Sequence, residues 1–332
     1  MDLAGRLDRF QRRHPGAGFP LAVVYKFFDD QGNYLTAMIT YYGFLSLFPL
    51  LLLLTSILGF ALHGDPQLQE QVLDSALSRF PVLGQQLGDN VQSLHGSTVA
   101  VVVGLVGGLY GSFGVVQSAQ SAFNKVWAVP RGDRPNPIKS RLRSLLMLVV
   151  LGVGVVASTV LSGLSTVAGR VGETEVGAGL RLAALLASVA LNVGLLVFAF
   201  RLLTAGSVRT RDVLPGAIGA ALAWQVLQAA GTYYLATSLR GTTATYGLFG
   251  VVLGLLVWLY LSAFTVVLGA EVNVVRARRL WPRSLLTPFT DDVHLTRGDR
   301  KAYESYAETE RHKGFETVEV EFDQAPPEAD TA

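Results

Sequence analysis

Hydrophobic positions in this sequence gather into six long stretches: Leu35–Leu62, Thr98–Ala122, Ser144–Ala168, Leu182–Phe200, Val213–Leu239 and Tyr246–Val275. Together they hold a single charged residue, Glu271. Each is about as long as, or longer than, the ~20 residues an α-helix needs to cross ~30 Å of hydrocarbon. A buried helix in a soluble protein rarely runs that far without a charge. Backbone groups in lipid have no water to bond, so each span must satisfy itself as a helix. The pattern predicts an all-α polytopic membrane protein, with a bundle of six transmembrane helices over residues 34–283.

The gaps between the stretches fix the expected orientation. The N-terminal segment holds Arg6, Arg9, Arg12, Arg13 and Lys26, and the gap after the second stretch holds Lys125, Arg131, Arg134, Lys139, Arg141 and Arg143. Arg201, Arg209 and Arg211 follow the fourth stretch, and Arg276, Arg278, Arg279 and Arg283 the sixth. Counting the tail, 23 of the 27 basic residues fall on one side, and only Arg79, Arg170, Arg181 and Arg240 on the other. The positive-inside rule then places both termini in the cytoplasm, and an odd number of spans would break the alternation. The first apolar run is too long for a signal-peptide core and lacks a small-residue cleavage site, so it reads as an uncleaved first span.

Three segments outside the spans have characters of their own. In residues 1–33, Leu21-Ala-Val-Val-Tyr-Lys-Phe-Phe28 is aromatic and apolar around one lysine. It reads as an interfacial helix on the inner leaflet with Lys26 snorkelling to water, the alternative being a short re-entry into the bundle. In the gap 63–97, apolar residues recur at helical spacing on both sides of Pro81. Two short amphipathic helices at the outer surface are expected there, between spans one and two. The tail, 284–332, holds twelve acidic and five basic residues. A solvated helix over Asp299–Lys313 and disorder elsewhere are expected of it, on the cytoplasmic side.

Composition narrows the chemistry. Half the residues are hydrophobic, 16% are charged and mean hydropathy is +0.40, where a soluble domain carries about a quarter charged. With no cysteine the chain has neither disulfides nor thiolate chemistry. The five histidines, His14, His63, His95, His294 and His312, are far apart and form no HExxH or HxHxDH pattern, so no metal centre is expected. Neither a nucleophile–base pair nor a phosphate-cradling loop is visible. The sequence therefore points away from an enzyme, a cofactor and a nucleic-acid partner. The lipid bilayer is the one partner it requires.

Polar and small residues inside the spans are the candidates for function. Gly104, Gly107, Gly111 and Gly114, continued by Ser118 and Ser121, alternate three and four apart and share one stripe of span two. Such a stripe suits close helix packing better than a ligand groove. Gln117, Gln120 and Asn124 follow near the basic end of the same span, either as interhelical hydrogen-bond partners or as the wall of a polar cavity. Gln225 and Gln228 lie in span five. Pro49 interrupts the hydrogen bonding of span one, with Thr40 and Tyr41 on the basic side of the expected kink. Glu271, followed by Asn273, is the sole acidic residue in any span. An intramembrane carboxylate is a site candidate by default, although a structural ion pair with Lys125, at similar depth, would also account for it. The expected position faces the bundle interior near Gln120 or Asn124.

Three motifs together carry a family resemblance: Tyr41-Tyr-Gly-Phe-Leu-Ser-Leu-Phe-Pro-Leu50, the Gln-Ser-Ala-Gln-Ser-Ala-Phe-Asn-Lys-Val-Trp run at 117–127, and Tyr246-Gly…Leu-Val-Trp-Leu-Tyr-Leu-Ser…Leu-Gly-Ala-Glu-Val-Asn273. The chain resembles the YihY/BrkB family of bacterial inner-membrane proteins over roughly residues 20–280. That resemblance implies a multi-pass inner-membrane protein with both termini inside. It implies little about mechanism, since family labels run from "virulence factor" to the older "ribonuclease BN". The histidine distribution argues against the nuclease label. The reading that follows is a transport-type protein, moving a small solute, ion or lipid through a polar cavity among spans one, two, five and six. The alternative is a non-transporting envelope scaffold that recruits cytoplasmic partners.

Overall fold

The computed structural model describes residues 2–61, 98–170, 175–291 and 293–323. The described residues contain helices and irregular chain, and no strand. Helix α1 is Asp2–Arg13, α2 Pro15–Asp29, α3 Gly32–Ala61, α4 Thr98–Val126, α5 Pro137–Arg170, α6 Glu175–Leu203, α7 Thr210–Arg278 and α8 Arg297–Thr309. Five segments are long and apolar enough to cross a membrane: Val101–Val126, Pro137–Ser158, Leu182–Leu203, Thr210–Gly231 and Val252–Arg278. Helix α3 covers the first apolar stretch and continues through Pro49. The outer amphipathic helices expected over 63–97 lie outside the described residues.

Helix α7 contains two spans. Straight, its 69 residues would run ~100 Å and hold Gly216 and Asn273 ~85 Å apart. Instead the Gly216 amide donates to Asn273 Oδ1 at 2.7 Å, and the rings of Trp224 and Trp258 lie 6.3 Å apart. The helix therefore doubles back on itself, and its two limbs run antiparallel. The limbs meet at glycine: a Cβ on Gly216 would stand 1.9 Å from the Gly269 carbonyl oxygen. No other residue fits there.

Packing centres on α4, which touches α3, α5, α6 and the limbs of α7. Its most extensive contact is with α3, made along the glycine stripe. A Cβ on Gly104 would fall 2.8 Å from the Leu53 amide, one on Gly107 3.0 Å from the Pro49 ring, and one on Gly111 2.5 Å from Ser46 Cβ. Small residues allow this approach, and dispersion over the close backbones holds it without a hydrophobic drive. On the outer faces, Val102, Val106, Val149, Val153, Leu185, Val226 and Val257 are exposed. So much apolar surface turned outward suits lipid and would aggregate in water.

The most densely buried core lies at one end of the bundle. Phe123, Val126, Phe200, Val213 and Val274 close it, and α2 lays Ala22 and Val23 onto the same cluster. The N-terminal helices, the loop after α4, the loop after α6 and the tail all gather at this end. Arg12 donates to the His294 carbonyl, Arg278 to that of Trp127, and the Ala205 amide to Asn124 Oδ1. All the basic-rich gaps thus share one face of the molecule.

Two segments differ from expectation. Lys26 does not snorkel: α2 keeps Val24 and Phe28 outward and turns Ala22, Val23, Lys26 and Phe27 into the protein. The tail helix is solvated on one side only: Asp299 and Ala302 on its packed face are fully buried, whereas Lys301 and Glu304 are exposed. Thr296 caps α8 by accepting from the Asp299 amide, while Asp299 accepts from the Thr296 amide, a reciprocal capping box. Gly298 permits the docking, because a Cβ there would meet the Pro282 carbonyl at 2.5 Å. The described chain continues without regular structure to Asp323.

Replacing Gly111 with Ala should separate α3 from α4 and lower stability by ~1–3 kcal/mol, the usual range for overpacking. Gly152, whose Cβ would meet nothing within 4 Å, is the control and should tolerate Ala without loss. Thermal unfolding of both variants in detergent checks the pair.

Candidate functional site

Beneath the tail, at the basic end of the bundle, three ionisable side chains are withdrawn from solvent. Lys26 is 1% exposed, Asp30 2% and Glu271 0%. Positions 22, 23, 26, 27 and 30 recur at helical spacing along α2, so the face that buries Ala22 and Phe27 carries the ammonium in with it. Lys26 Nζ donates to Asp30, one turn along, and to the Val126 carbonyl at 3.2 Å. It also lies 3.9 Å from Glu271 Oε2 on the second limb of α7. Neither carboxylate oxygen of Glu271 has a hydrogen-bond donor. Burial pushes the Asp30 carboxyl above the usual carboxylate range, against the opposing pull of Lys26.

The tail completes this arrangement from outside. The Tyr306 ring of α8 covers Lys26, with Nζ 5.1 Å from its centroid, a cation–π contact made stronger by exclusion of water. Tyr306 OH donates to Asp29 at 3.0 Å. Burial, reinforced by Asp29 and Asp30, raises the phenol's pKa and keeps it a donor. Arg283 bridges Asp29 at 3.1 Å and Asp299 at 2.7 Å. Asp299 also accepts from the amides of Ser284 and Thr296, both at 2.9 Å. Buried charges persist only when paired and hydrogen-bonded in this way.

A second set of contacts ties the tail to the loop after α4. Arg311 meets Asp133 at 2.6 Å, Arg131 meets Glu310 at 2.8 Å, and the Gly132 amide donates to the Arg311 carbonyl. Between α8, the end of α7 and residues 318–320 lies a cavity of about 570 Å³, lined by Arg278, Leu280, Lys301, Glu304, Ser305, Glu308, Val318, Glu319 and Val320.

The residues singled out from the sequence do not converge on one place. Gln120 bonds across to Ser140 and Ser144 of α5. Asn124 accepts from the Ala205 amide, and Asn273 from that of Gly216. Gln117 is exposed, while Gln225 and Gln228 are half-buried. Thr40 returns its hydroxyl to the Thr36 carbonyl of its own helix, and Tyr41 is 60% exposed. Glu271 is interior, but the pairing expected for it is corrected: its cation is Lys26, whereas Lys125 donates to Gln31 at 2.9 Å in an exposed contact. Sequence depth points to Lys125 and leaves Lys26 to the solvent. The i, i+4 pairing of Lys26 with Asp30 on the buried face of α2 is the signal that distinguishes them.

With this geometry in hand, comparison with known proteins gives a family. A profile described as Virulence factor BrkB matches residues 23–289. The chain belongs to the BrkB family. Among its relatives, the ribonuclease-like protein YfkH of Bacillus subtilis is 25% identical over 265 residues, covering 75% of this chain and 91% of YfkH. The inner membrane protein YhjD of Escherichia coli is 26% identical over 270 residues, covering 76% and 79% respectively. A UPF0761 membrane protein of Xanthomonas campestris is 25% identical over 288 residues, covering 85% of this chain and 66% of its own length. No solved structure matches. This BrkB-family chain is thus an integral membrane protein. The ribonuclease-like name belongs to YfkH; among the described residues here, no three His, Asp or Glu side chains stand grouped to hold a metal ion.

Replacing Lys26 with Met should strand Asp30 and Glu271 and lower stability by ~3–5 kcal/mol, as breaking a buried pair does. The same change at Lys125 should cost under ~1 kcal/mol, the scale of an exposed contact. Denaturation midpoints of the two variants, measured side by side, separate the two assignments.

Proposed function

We propose that this protein is a transport-type protein of the bacterial inner membrane, with both termini in the cytoplasm. The observation that carries the reading is Glu271: fully buried, in a membrane helix, and without a hydrogen-bond donor. Ionisable groups at such depth are costly, and membrane proteins keep them chiefly on ion, proton and substrate paths. Here two carboxylates face one ammonium, so the Lys26–Asp30–Glu271 group is one positive charge short of neutrality when all three are ionised. A cluster of that kind binds cations in exchange with the solution on one side. Its location, at the inner mouth of the bundle and under a cap of tail residues, suits a gated entrance. The cargo is a small solute, an ion or a lipid headgroup.

The orientation rests on the basic residues. They crowd the face that carries α1, α8 and the loop after α4, the face the positive-inside rule assigns to the cytoplasm. Because the chain has no cysteine, single cysteines report on topology without background. Gln69→Cys should label from outside the cell and Asn136→Cys only after the membrane is opened; the reverse pattern would overturn the topology.

A second reading, an envelope scaffold, draws on the clasp between Arg311, Asp133, Arg131 and Glu310. It would give the inner face a fixed shape for a partner protein. Reconstitution decides between them. Vesicles holding the wild-type protein should pass ions or labelled solutes, read with trapped ion-sensitive dyes and a panel of radiolabelled compounds. Vesicles with Glu271→Gln at equal protein content should not. Wild-type vesicles no leakier than empty ones would favour the scaffold.

A further inference from the structure

Resting on the transport reading, the geometry points to the proton as the ion that the Lys26–Asp30–Glu271 group exchanges. The space a metal ion would need is already taken. Lys26 brings its ammonium between the carboxylates, bonded to Asp30 and to the Val126 carbonyl and 3.9 Å from Glu271. Sodium, potassium or a divalent ion requires a shell of several oxygens, and would have to enter beside a fixed positive charge. A proton needs one oxygen and no shell.

The two carboxyl groups supply the second argument. Asp30 and Glu271 share the Lys26 ammonium, which is bonded to the first and 3.9 Å from the second, and an ionised carboxylate only accepts. Two of them around one ammonium repel, and protonating one removes that repulsion. Asp30 already receives the Lys26 proton donor, whereas both oxygens of Glu271 lack one. Glu271 is therefore the group that takes the proton. Hydronium gives it up and leaves as water, Glu271 becomes a neutral acid, and Lys26 stays an ammonium throughout. The group then carries no net charge, which is the state that burial favours.

Every element around Glu271 bears on this exchange. Helix α2 brings Lys26, Asp29 and Asp30, and Lys125 of α4 and Arg278 of α7 act on Asp30. Helix α8 supplies Tyr306 above Lys26, with Arg283 beyond it on Asp29. Helix α3 carries no charged residue, and Arg201 of α6 is exposed and bonded to the Val208 carbonyl.

The test is infrared spectroscopy of the purified full-length protein in lipid, with and without 13C-labelled glutamate. Titration from acid to alkaline pH should show the carbonyl stretch of a protonated buried carboxylic acid, lost as pH rises. Glutamate labelling should shift that band, and Glu271→Gln should remove it. The labelled wild type decides the matter even if the variant folds poorly. A wild-type spectrum with no titrating acid band, or a band that ignores the glutamate label, would overturn the proposal. So would a shifted band that persists in folded Glu271→Gln. Sodium or calcium chloride should leave the band's midpoint unchanged, and a displacement of the band by either cation would make this a metal site. Because the spectra need no cargo, a Glu271 band without vesicle flux refutes the transport reading alone, while flux without the band refutes the proton alone.

Discussion

The ammonium of Lys26 is the point on which the basic end of this molecule turns. It comes from α2, and it is met by Asp30 at the end of the same helix, by the last carbonyl of α4, by Glu271 of α7 and by the Tyr306 ring of α8. Four elements far apart in sequence are held by one charge withdrawn from water. Desolvating an ammonium is expensive, and only several partners of good geometry recover the loss. Remove it, and what remains is two carboxylates in a dry wall with nothing between them. The positions of α2 and of the tail follow from this one requirement.

Around that point, the neutral polar side chains act as fasteners. Gln120 joins α4 to α5, Asn124 joins it to the turn after α6, and Asn273 pins the first turns of α7 to its own returning limb. Each bond is worth little by itself, but an amide left unpaired in so apolar a setting would cost far more. The glycine stripe plays the same part between α3 and α4, by contact rather than by hydrogen bond. The basic end of the bundle is thus cross-tied on several sides around Lys26 and Glu271.

What could be read from the sequence follows from how strongly each signal is enforced. The spans were legible because a charge in hydrocarbon costs so much that its absence over some twenty residues is nearly diagnostic. For the same reason Glu271 stood out. Its partner did not, because depth alone pointed to Lys125, whereas the cation beside Glu271 is Lys26. The helical phase of α2, with Lys26 flanked by buried Ala22, Val23 and Phe27, contains the missing information. It was overridden by the habit of lysines to reach for water. The docking of the tail was hidden by its average composition. Acidic residues predominate there, but the chemistry of docking lies in a few positions: Thr296 and Asp299 that cap the helix, Ala302 against the protein, and Tyr303 and Tyr306 on its inner side. Gln117 and Tyr41, grouped by sequence with the other polar span residues, are exposed.

The contrast between the fasteners and the tail bears on how such a site could open. The interhelical bonds of Gln120, Asn124 and Asn273 are buried or nearly so, and α4 reaches α3 through backbone contacts that cannot slide without clashing at Gly104 and Gly111. The outer ties of the tail are of another kind. Arg131 and Glu310 are more than half exposed, as is Asp133, and pairs of that sort contribute only ~0–1 kcal/mol and weaken with salt. The weakest ties of the cap over Lys26 are therefore those between the tail and the loop after α4, at Arg311–Asp133 and Arg131–Glu310. The Arg283–Asp299 pair, buried and saturated with hydrogen bonds, holds the root of the tail in place.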